Sequence, residues 1–244
     1  MLNIQERHLG LIPSNEAQAV EKQINEVAEL IAQQVDLERL HGIANSAPVP
    51  NFQATSNITL PPTDIRIGIA QDAAFGFYYP DDLQAFREAG AELVNINTLQ
   101  DETLPDIDGL FIGGGFPETQ MQALEANVSL RQSIHDAIEE GLPVYAECGG
   151  LMYLSRSLRW NDEQRQMVGA LAMDIQMHRR PQGRGYVKLE ESNDSLWRTA
   201  VSANNSSDTA THAQAIINAH EFHYSAPVES SSPALAKNTQ FAYR

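Results

Sequence analysis

The segment Val144-Tyr-Ala-Glu-Cys-Gly-Gly-Leu-Met-Tyr153 contains the only cysteine of this 244-residue chain, at the junction of two structural patterns. Its first residues, Val144–Glu147, are typical of a short buried strand, whereas Leu151–Leu154 has the apolar spacing of a helix. We therefore predict that Cys148 lies on a strand-to-helix turn. The two glycines that follow the cysteine permit the sharp bend that such a turn requires.

A strand-to-helix turn is a typical position for a catalytic nucleophile, so Cys148 is a candidate for that role. Hydrolases with an α/β fold expose their nucleophile at the same place. A helix N-terminus would lower the pKa of the Cys148 thiol, and the amide of Gly149 would face a developing oxyanion. The preceding Glu147 could orient the site or cap the next helix, and we favour capping. The alternative for Cys148 is a buried structural cysteine, a common state for a free cysteine.

Composition narrows the class of protein. A hydrophobic content of 42% at this length supports at least one sizeable core. The net charge of −16 disfavours nucleic acid and anionic membrane surfaces as partners, because both are bound through Lys and Arg patches. No apolar run reaches the roughly 20 residues of a membrane span, and no Cys/His cluster has zinc-ligand spacing. A single cysteine cannot form an internal disulfide, so we expect a cytoplasmic protein.

Residues 64–153 alternate between strand and helix patterns. Strands are predicted at Ile65–Ala70, Glu92–Ile96 and Asp108–Ile112, with helical segments between them and a further strand leading to Cys148. This alternation predicts an α/β fold with a mostly parallel sheet covered by helices. Ligands bind beyond the carboxyl ends of such strands, where Gly113–Gly115 and Cys148 both fall. The glycine run could also be a plain tight turn or, less plausibly, a phosphate cradle.

The remaining sequence divides into three predicted regions. Residues 1–45 are predicted to contain one strand and two helices, which cannot form a core of their own, so we expect this region to pack on another part of the protein or on a partner. Residues 46–63 are rich in Pro, Ser, Asn and Thr and predict a linker. Residues 64–244 are predicted to form the main domain. Within it, residues 191–214 are predicted to be a surface excursion and residues 240–243 a possible last strand.

The segment His220-Glu-Phe-His-Tyr224 is the second candidate part of a site. In a regular strand Glu221 and His223 would share one face, and His220, Phe222 and Tyr224 the other. Two histidines alone are weak evidence for a metal-binding site. For His220 we prefer a structural role, and for His223 the role of general base for Cys148, because a cysteine nucleophile needs a positioned imidazole.

Four motifs in this order resemble the glutaminase half of cobyrinic acid a,c-diamide synthases, a class I-type glutamine amidotransferase domain of the cobyric acid synthase kind. They are Asp72-Ala-Ala-Phe-Gly-Phe-Tyr-Tyr-Pro80, Gly113-Gly-Gly-Phe-Pro-Glu118, Tyr145-Ala-Glu-Cys-Gly-Gly-Leu-Met-Tyr153 and His220-Glu-Phe-His-Tyr-Ser225. The resemblance implies a flavodoxin-like three-layer α/β fold with helices on both faces of the sheet. It extends to Arg7–Pro13 and Asp36–Leu40, which resemble the end of the family's N-terminal half, and so implies that residues 1–45 are the remnant of an N-terminal synthetase domain.

The resemblance also implies a chemistry. The nucleophile of the family falls on Cys148 and its activating histidine on His223. Class I relatives with a full triad carry a glutamate where this chain has Ser225, so a Cys–His pair without that acid is implied. Gly114, Gly115 and Gly149 are the candidates for oxyanion and substrate binding, and no metal is expected at this site.

The implied partners are glutamine, an ATP-dependent synthetase domain or subunit, and a cobyrinate-like tetrapyrrole bound through that partner. No P-loop string G-x-x-x-x-G-K-[ST] occurs in the sequence, so we expect no cofactor in this half, and ATP and Mg in the synthetase half. The leading hypothesis is a glutaminase that supplies ammonia for amidating tetrapyrrole carboxylates. The alternatives are a non-catalytic or partner-dependent docking module, and a stand-alone cysteine hydrolase acting on another amide.

Overall fold

The structure is a computed structural model that describes residues 6–7, 10–11, 20–48, 64–192 and 216–228. Most of the predicted linker, most of the predicted surface excursion and the predicted last strand lie outside these residues. The division into three regions therefore stays a prediction.

The N-terminal elements comprise a small strand pair and two helices. Their bounds are β1 Glu6–Arg7, β2 Gly10–Leu11, α1 Val20–Gln34 and α2 Leu37–Asn45. The two strands pair antiparallel, so the prediction of a single strand in this region was wrong. The α2 helix is capped by Asp36, whose Oδ1 accepts a hydrogen bond from the Arg39 amide at 2.9 Å. Both helices follow the predicted apolar spacing, and the apolar side chains of Ile24, Ile31, Leu40 and Ile43 are exposed.

A parallel sheet forms the centre of the main domain. Its elements are β3 Arg66–Ala70, β4 Phe75–Phe77, α3 Pro80–Glu88, β5 Glu92–Ile96, β6 Gly109–Ile112, β7 Gly114–Gly115, α4 Pro117–Ala126, α5 Val128–Glu139, β8 Val144–Ala146 and α6 Gly149–Leu154. The sheet order is β5-β3-β6-β8, all parallel, while β4 and β7 form a separate antiparallel pair. The order of the four parallel strands, 2-1-3-4 along the chain, is that of flavodoxin-like folds.

Helices lie on both faces of this sheet. The connection from β3 to β5 and the connection from β6 to β8 run in opposite directions along the sheet. Because parallel crossovers are right-handed, α3 and the pair α4–α5 cover opposite faces. The predicted three-layer α/β class is therefore confirmed.

The chain continues into antiparallel structure. The further strands are β9 Ser155–Trp160, β10 Glu163–Gln166, β11 Leu171–Met177, β12 Gly183–Glu190, β13 Ile216–His223 and β14 Ser225–Pro227. One sheet has the order β10-β9-β11-β14, and β12 and β13 form a hairpin. The tight turn between β9 and β10 places Asn161 and Asp162 at φ of 49° and 66°, a conformation that Asn and Asp tolerate well. We had not predicted this hairpin.

One apolar core joins the two sheets. The buried cluster includes Leu110 and Ile112 of β6, Leu124 of α4, Leu158 of β9 and Ile175 of β11. The antiparallel strands therefore pack on the helices of the parallel sheet and fold with them.

Candidate functional site

Cys148 occupies a strained turn between β8 and α6. Its φ of 49° and ψ of −112° are unfavourable for any residue with a side chain. Main-chain hydrogen bonds hold this geometry: Glu147 N donates to Ile112 O at 3.1 Å, and Gly150 N donates to Gly113 O at 3.1 Å. The predicted strand-to-helix turn is therefore present, and it is attached to the end of the neighbouring strand β6.

Close backbone approach explains the glycines around this turn. A Cβ atom on Gly150 would collide with Ile112 O, and one on Gly115 with Ala74 O. A Cβ on Gly114 would lie 3.6 Å from Cys148 Cβ, and one on Gly149 3.0 Å from Gly115 N. The three predicted glycines, 114, 115 and 149, therefore lie together beside Cys148.

The surroundings of the Cys148 thiol raise its pKa. Desolvation is the largest effect and raises the pKa of the thiol, although the residue keeps an exposed surface. Hydrogen bonds from the amides of Gly149 and Gly115 lower this pKa, and the carboxylates of Glu118 and Glu147 raise it. The Gly149 amide at the N-terminus of α6 lowers the pKa as expected, but the net pKa shift is upward. The helix has only six residues, and its effect is outweighed by burial and two negative charges.

Two acidic side chains flank the cysteine in different ways. Glu118, on the first turn of α4, is buried with 4% of its surface exposed. Glu147 is exposed, and its Oε2 accepts a hydrogen bond from the Tyr145 hydroxyl at 3.1 Å. Glu147 does not cap α6, because the N-cap residue is Cys148 and α6 has no side-chain cap. Our interpretation of Glu147 as a cap was therefore wrong.

Tyr78 supports the glycine loop, a role that sequence reasoning missed. Its hydroxyl donates to Ala70 O at 2.5 Å and accepts from Gly113 N at 2.9 Å, so it joins the carboxyl ends of β3 and β6. Burial raises the pKa of Tyr78 to about 12. This tyrosine lies inside the Asp72–Pro80 motif, and that motif was the only signal that could have indicated it.

His223 lies at the end of β13, next to a carboxylate. The alternation predicted for this strand is present, since Glu221 and His223 share its less exposed face. His223 Nε2 lies 2.8 Å from Glu221 Oε1, and Nδ1 lies 2.7 Å from Ser225 O. No hydrogen bond joins His223 to Cys148 in the described part of the chain, so their pairing stays a prediction.

The other candidate ligands lie apart from this arrangement. His220 is exposed on the opposite face of β13, with its ring 5.6 Å from that of Tyr186 and 6.4 Å from that of Phe222. Within residues 20–48, 64–192 and 216–228, no three His, Cys, Asp or Glu side chains form a cluster suited to a metal ion. No helix in these ranges is long and apolar enough to cross a bilayer.

Comparison with known proteins identifies the family. Residues 66–242 match the CobB/CobQ-like glutamine amidotransferase domain. The cobyrinate a,c-diamide synthase of Magnetococcus marinus is 38% identical over 247 residues, which cover 99% of this chain and 49% of that protein. The enzyme of the same name from Archaeoglobus fulgidus is 38% identical over 239 residues, covering 98% and 48%.

The chain spans about half the length of the curated relatives it matches. A crystal structure of a glutamine amidotransferase aligns with 51% of this chain and 64% of its own at 18% identity, with a TM-score of 0.38, a likeness too low to carry an argument. The family match covers most of the chain and includes all four of the motifs quoted above. The chain therefore belongs to the family of CobB/CobQ-like glutamine amidotransferase domains.

Proposed function

We propose that this chain is the glutaminase part of an ATP-dependent cobyrinate a,c-diamide synthase. The observation that carries the proposal is the convergence of the Gly115 and Gly149 amides on the strained, surface-accessible Cys148. Such a pair of donors stabilises negative charge beside a nucleophile, and one donor of this kind is worth about 3 kcal/mol in a transition state. The family membership and the names of the curated relatives support glutamine as the substrate.

The proposed reaction is hydrolysis of the side-chain amide of glutamine. Cys148 Sγ attacks the carboxamide carbon, and His223 takes the thiol proton and returns it to the departing nitrogen. Ammonia leaves as a γ-glutamyl thioester forms on Sγ, and water then cleaves the thioester to glutamate and free thiol. Because the pKa of the resting thiol is raised, the proton must be removed during the attack.

The ammonia would be used by an ATP-dependent half, which we place in a partner domain or subunit. That half would bind ATP and Mg and present acetate side chains of a cobyrinate-like tetrapyrrole for amidation. The names and the greater length of the curated relatives support this assignment. We place the reaction in the cytoplasm, in line with the single cysteine.

Labelling with a chloroketone analogue of glutamine tests the site. We expect a single adduct at Cys148 by intact mass and peptide mapping, prevented by excess glutamine and absent in Cys148→Ala. His223→Ala should slow labelling and glutamate release by about 100-fold or more, since general bases contribute on that order. His220→Ala, a neighbouring exposed histidine, is the control and should label normally. Glutamate release that persists in Cys148→Ala would contradict the proposal.

One observation favours a second candidate function, a module that has no activity until its partner binds. Both ring nitrogens of His223 are bonded to Glu221 and Ser225 and not to Cys148. In that case the isolated chain would neither label nor hydrolyse glutamine, and adding the ATP-dependent half of a curated relative would start both. Full activity of the isolated chain would exclude this candidate.

A further inference from the structure

The outward face of the β12–β13 hairpin carries aromatic and basic side chains. Exposure alternates along both strands, so every second residue of each strand faces solvent. In the antiparallel register Arg184 lies opposite Phe222, and Tyr186 lies opposite His220. We call this surface the hairpin platform and define it by Arg184, Tyr186, Lys188, His220 and Phe222. The candidate general base lies on the other, less exposed face of the same hairpin.

The three rings of the hairpin platform are contiguous and remain accessible. The ring centroid of His220 lies 5.6 Å from that of Tyr186 and 6.4 Å from that of Phe222. Cross-strand contacts of this kind stabilise a hairpin. Tyr186 nevertheless keeps 94% of its surface exposed, and Phe222 keeps 40%. Pairing within the hairpin therefore uses little of the aromatic surface, and most of the Tyr186 ring is available to a ligand.

The charge of the hairpin platform is opposite to that of the whole chain, which has a net charge of −16. Arg184 and Lys188 lie two residues before and two residues after Tyr186 on the same face, so their Cα atoms are about 13 Å apart along the strand. Within residues 64–192 and 216–228, neither of these cations forms an ion pair with a carboxylate. Glu190, the carboxylate on this face of β12, lies beyond Lys188 at the end of the strand.

This arrangement suits a flat conjugated ring that carries carboxylates at its edge. Aromatic side chains stack on the face of such a ring, while guanidinium and ammonium groups pair with carboxylates. A long polyanion such as a nucleic acid would also meet the negative charge of the rest of the chain. A small ligand is affected mainly by its immediate surroundings, because physiological salt screens charges beyond about 8 Å.

We propose that the hairpin platform binds the tetrapyrrole whose carboxylates are amidated. This inference rests on the proposed function, in which a cobyrinate-like tetrapyrrole is the acceptor of ammonia. The face of the macrocycle stacks on Tyr186, and carboxylates at its edge pair with Arg184 and Lys188. This chain then contributes a surface to the acceptor site in addition to that of the ATP-dependent half. The hairpin carries the acceptor on one face and the candidate general base on the other.

Titration of the full chain with uroporphyrin tests this proposal, because uroporphyrin is a flat tetrapyrrole with carboxylates around its rim. We expect saturable binding, followed by the absorption spectrum of the porphyrin, which weakens as NaCl is raised and is displaced by cobyrinate. Tyr186→Ser should lower the affinity about tenfold or more, since a stacked aromatic contact contributes on that order. Arg184→Gln should lower it about two- to fivefold.

Matched controls use exposed residues of the same types outside the hairpin. Tyr79→Ser and Arg87→Gln, beside and within α3, should bind uroporphyrin as the wild type does. Absence of saturable binding, or equal affinities of Tyr186→Ser and the wild type, would overturn the inference. Displacement by citrate as effective as that by cobyrinate would overturn it as well, because charge alone would then explain the binding.

Glutamine hydrolysis measured on the same samples separates this inference from the proposed function. Tyr186→Ser should hydrolyse glutamine at the wild-type rate, because the hairpin platform lies on the face opposite the candidate general base. If glutamine is hydrolysed but uroporphyrin does not bind, the inference alone fails. If uroporphyrin binds through Tyr186 but glutamine is not hydrolysed, the proposed function fails and the hairpin platform remains a tetrapyrrole-binding surface.

Discussion

At the scale of single residues, the reactivity of Cys148 is set by opposing charges and dipoles. Two amides stabilise its thiolate, whereas desolvation and two carboxylates stabilise the thiol. The balance favours the thiol, so its alkylation by a neutral reagent should accelerate as the pH rises towards the raised pKa.

The carboxylate of Glu147 provides a direct test of this balance. Glu147→Gln removes one negative charge and should lower the pKa of the Cys148 thiol, so that iodoacetamide reacts about two- to threefold faster at pH 8. The measurement is the alkylation rate between pH 7 and pH 10. Glu140→Gln is a matched control, because Glu140 is exposed and precedes strand β8, whereas Glu147 follows it. An unchanged or slower rate in Glu147→Gln would show that this charge does not act on the thiol.

At the scale of elements, the site is assembled where the carboxyl ends of β3, β6 and β8 meet. The loop after β3 contributes Tyr78, the loop after β6 contributes Gly113–Gly115, and the turn after β8 contributes Cys148. Each of these segments is hydrogen-bonded to its neighbour. The positions of the candidate oxyanion donors therefore depend on contacts between loops, and the Tyr78 side chain links two of these loops.

Loss of the Tyr78 hydroxyl should weaken this assembly. Tyr78→Phe leaves Ala70 O and Gly113 N without their bonds to the hydroxyl, and it should lower the free energy of unfolding by about 1–3 kcal/mol. Urea unfolding measures the change. Tyr79→Phe removes a hydroxyl from a side chain that is 74% exposed and should be neutral. Equal stability of the two variants would refute the bracing role of Tyr78.

At the scale of the whole molecule, one core holds the parallel and antiparallel sheets together. Leu158 of β9 is fully buried in the cluster that also contains Leu110, Ile112 and Leu124. Strand β9 follows directly after α6, so the helix that begins after Cys148 is anchored by the second sheet. The two sheets should therefore unfold together.

Truncation of Leu158 tests this cooperativity. Leu158→Ala should lower the free energy of unfolding by about 2–5 kcal/mol, the range for truncating a large buried side chain. Unfolding should remain a single transition when it is followed by tryptophan fluorescence and by far-ultraviolet circular dichroism. The control is Leu37→Ala, because Leu37 in α2 is 47% exposed and its loss should change stability little. Two separate transitions in the wild type would show that the sheets fold independently.

Local patterns in the sequence determined much of the fold. The alternation of apolar runs and helical spacing predicted α1 to α5 and strands β3, β5, β6 and β8 within a few residues, because each element buries one face and its period shows in the sequence. The strand–glycine–helix pattern predicted the turn at Cys148. The β9–β10 hairpin was missed, although Asn161-Asp162 between two polar-alternating segments was its signal.

The properties of the site were decided by tertiary contacts. The upward shift of the Cys148 pKa comes mainly from burial, and Glu118, which adds to it, is brought near the thiol only when α4 packs beside α6. A Cβ atom at position 183 would meet the ends of the Glu221 and His223 side chains, which are 38 and 40 positions away in the sequence, and no local period contains this contact. Strand alternation placed Glu221 and His223 on one face, but only the folded hairpin shows the bond between them. Sequence periodicity specifies which face of an element is buried. Electrostatic effects and close contacts depend instead on spatial distances between residues that are far apart in the sequence, and only the fold sets these distances.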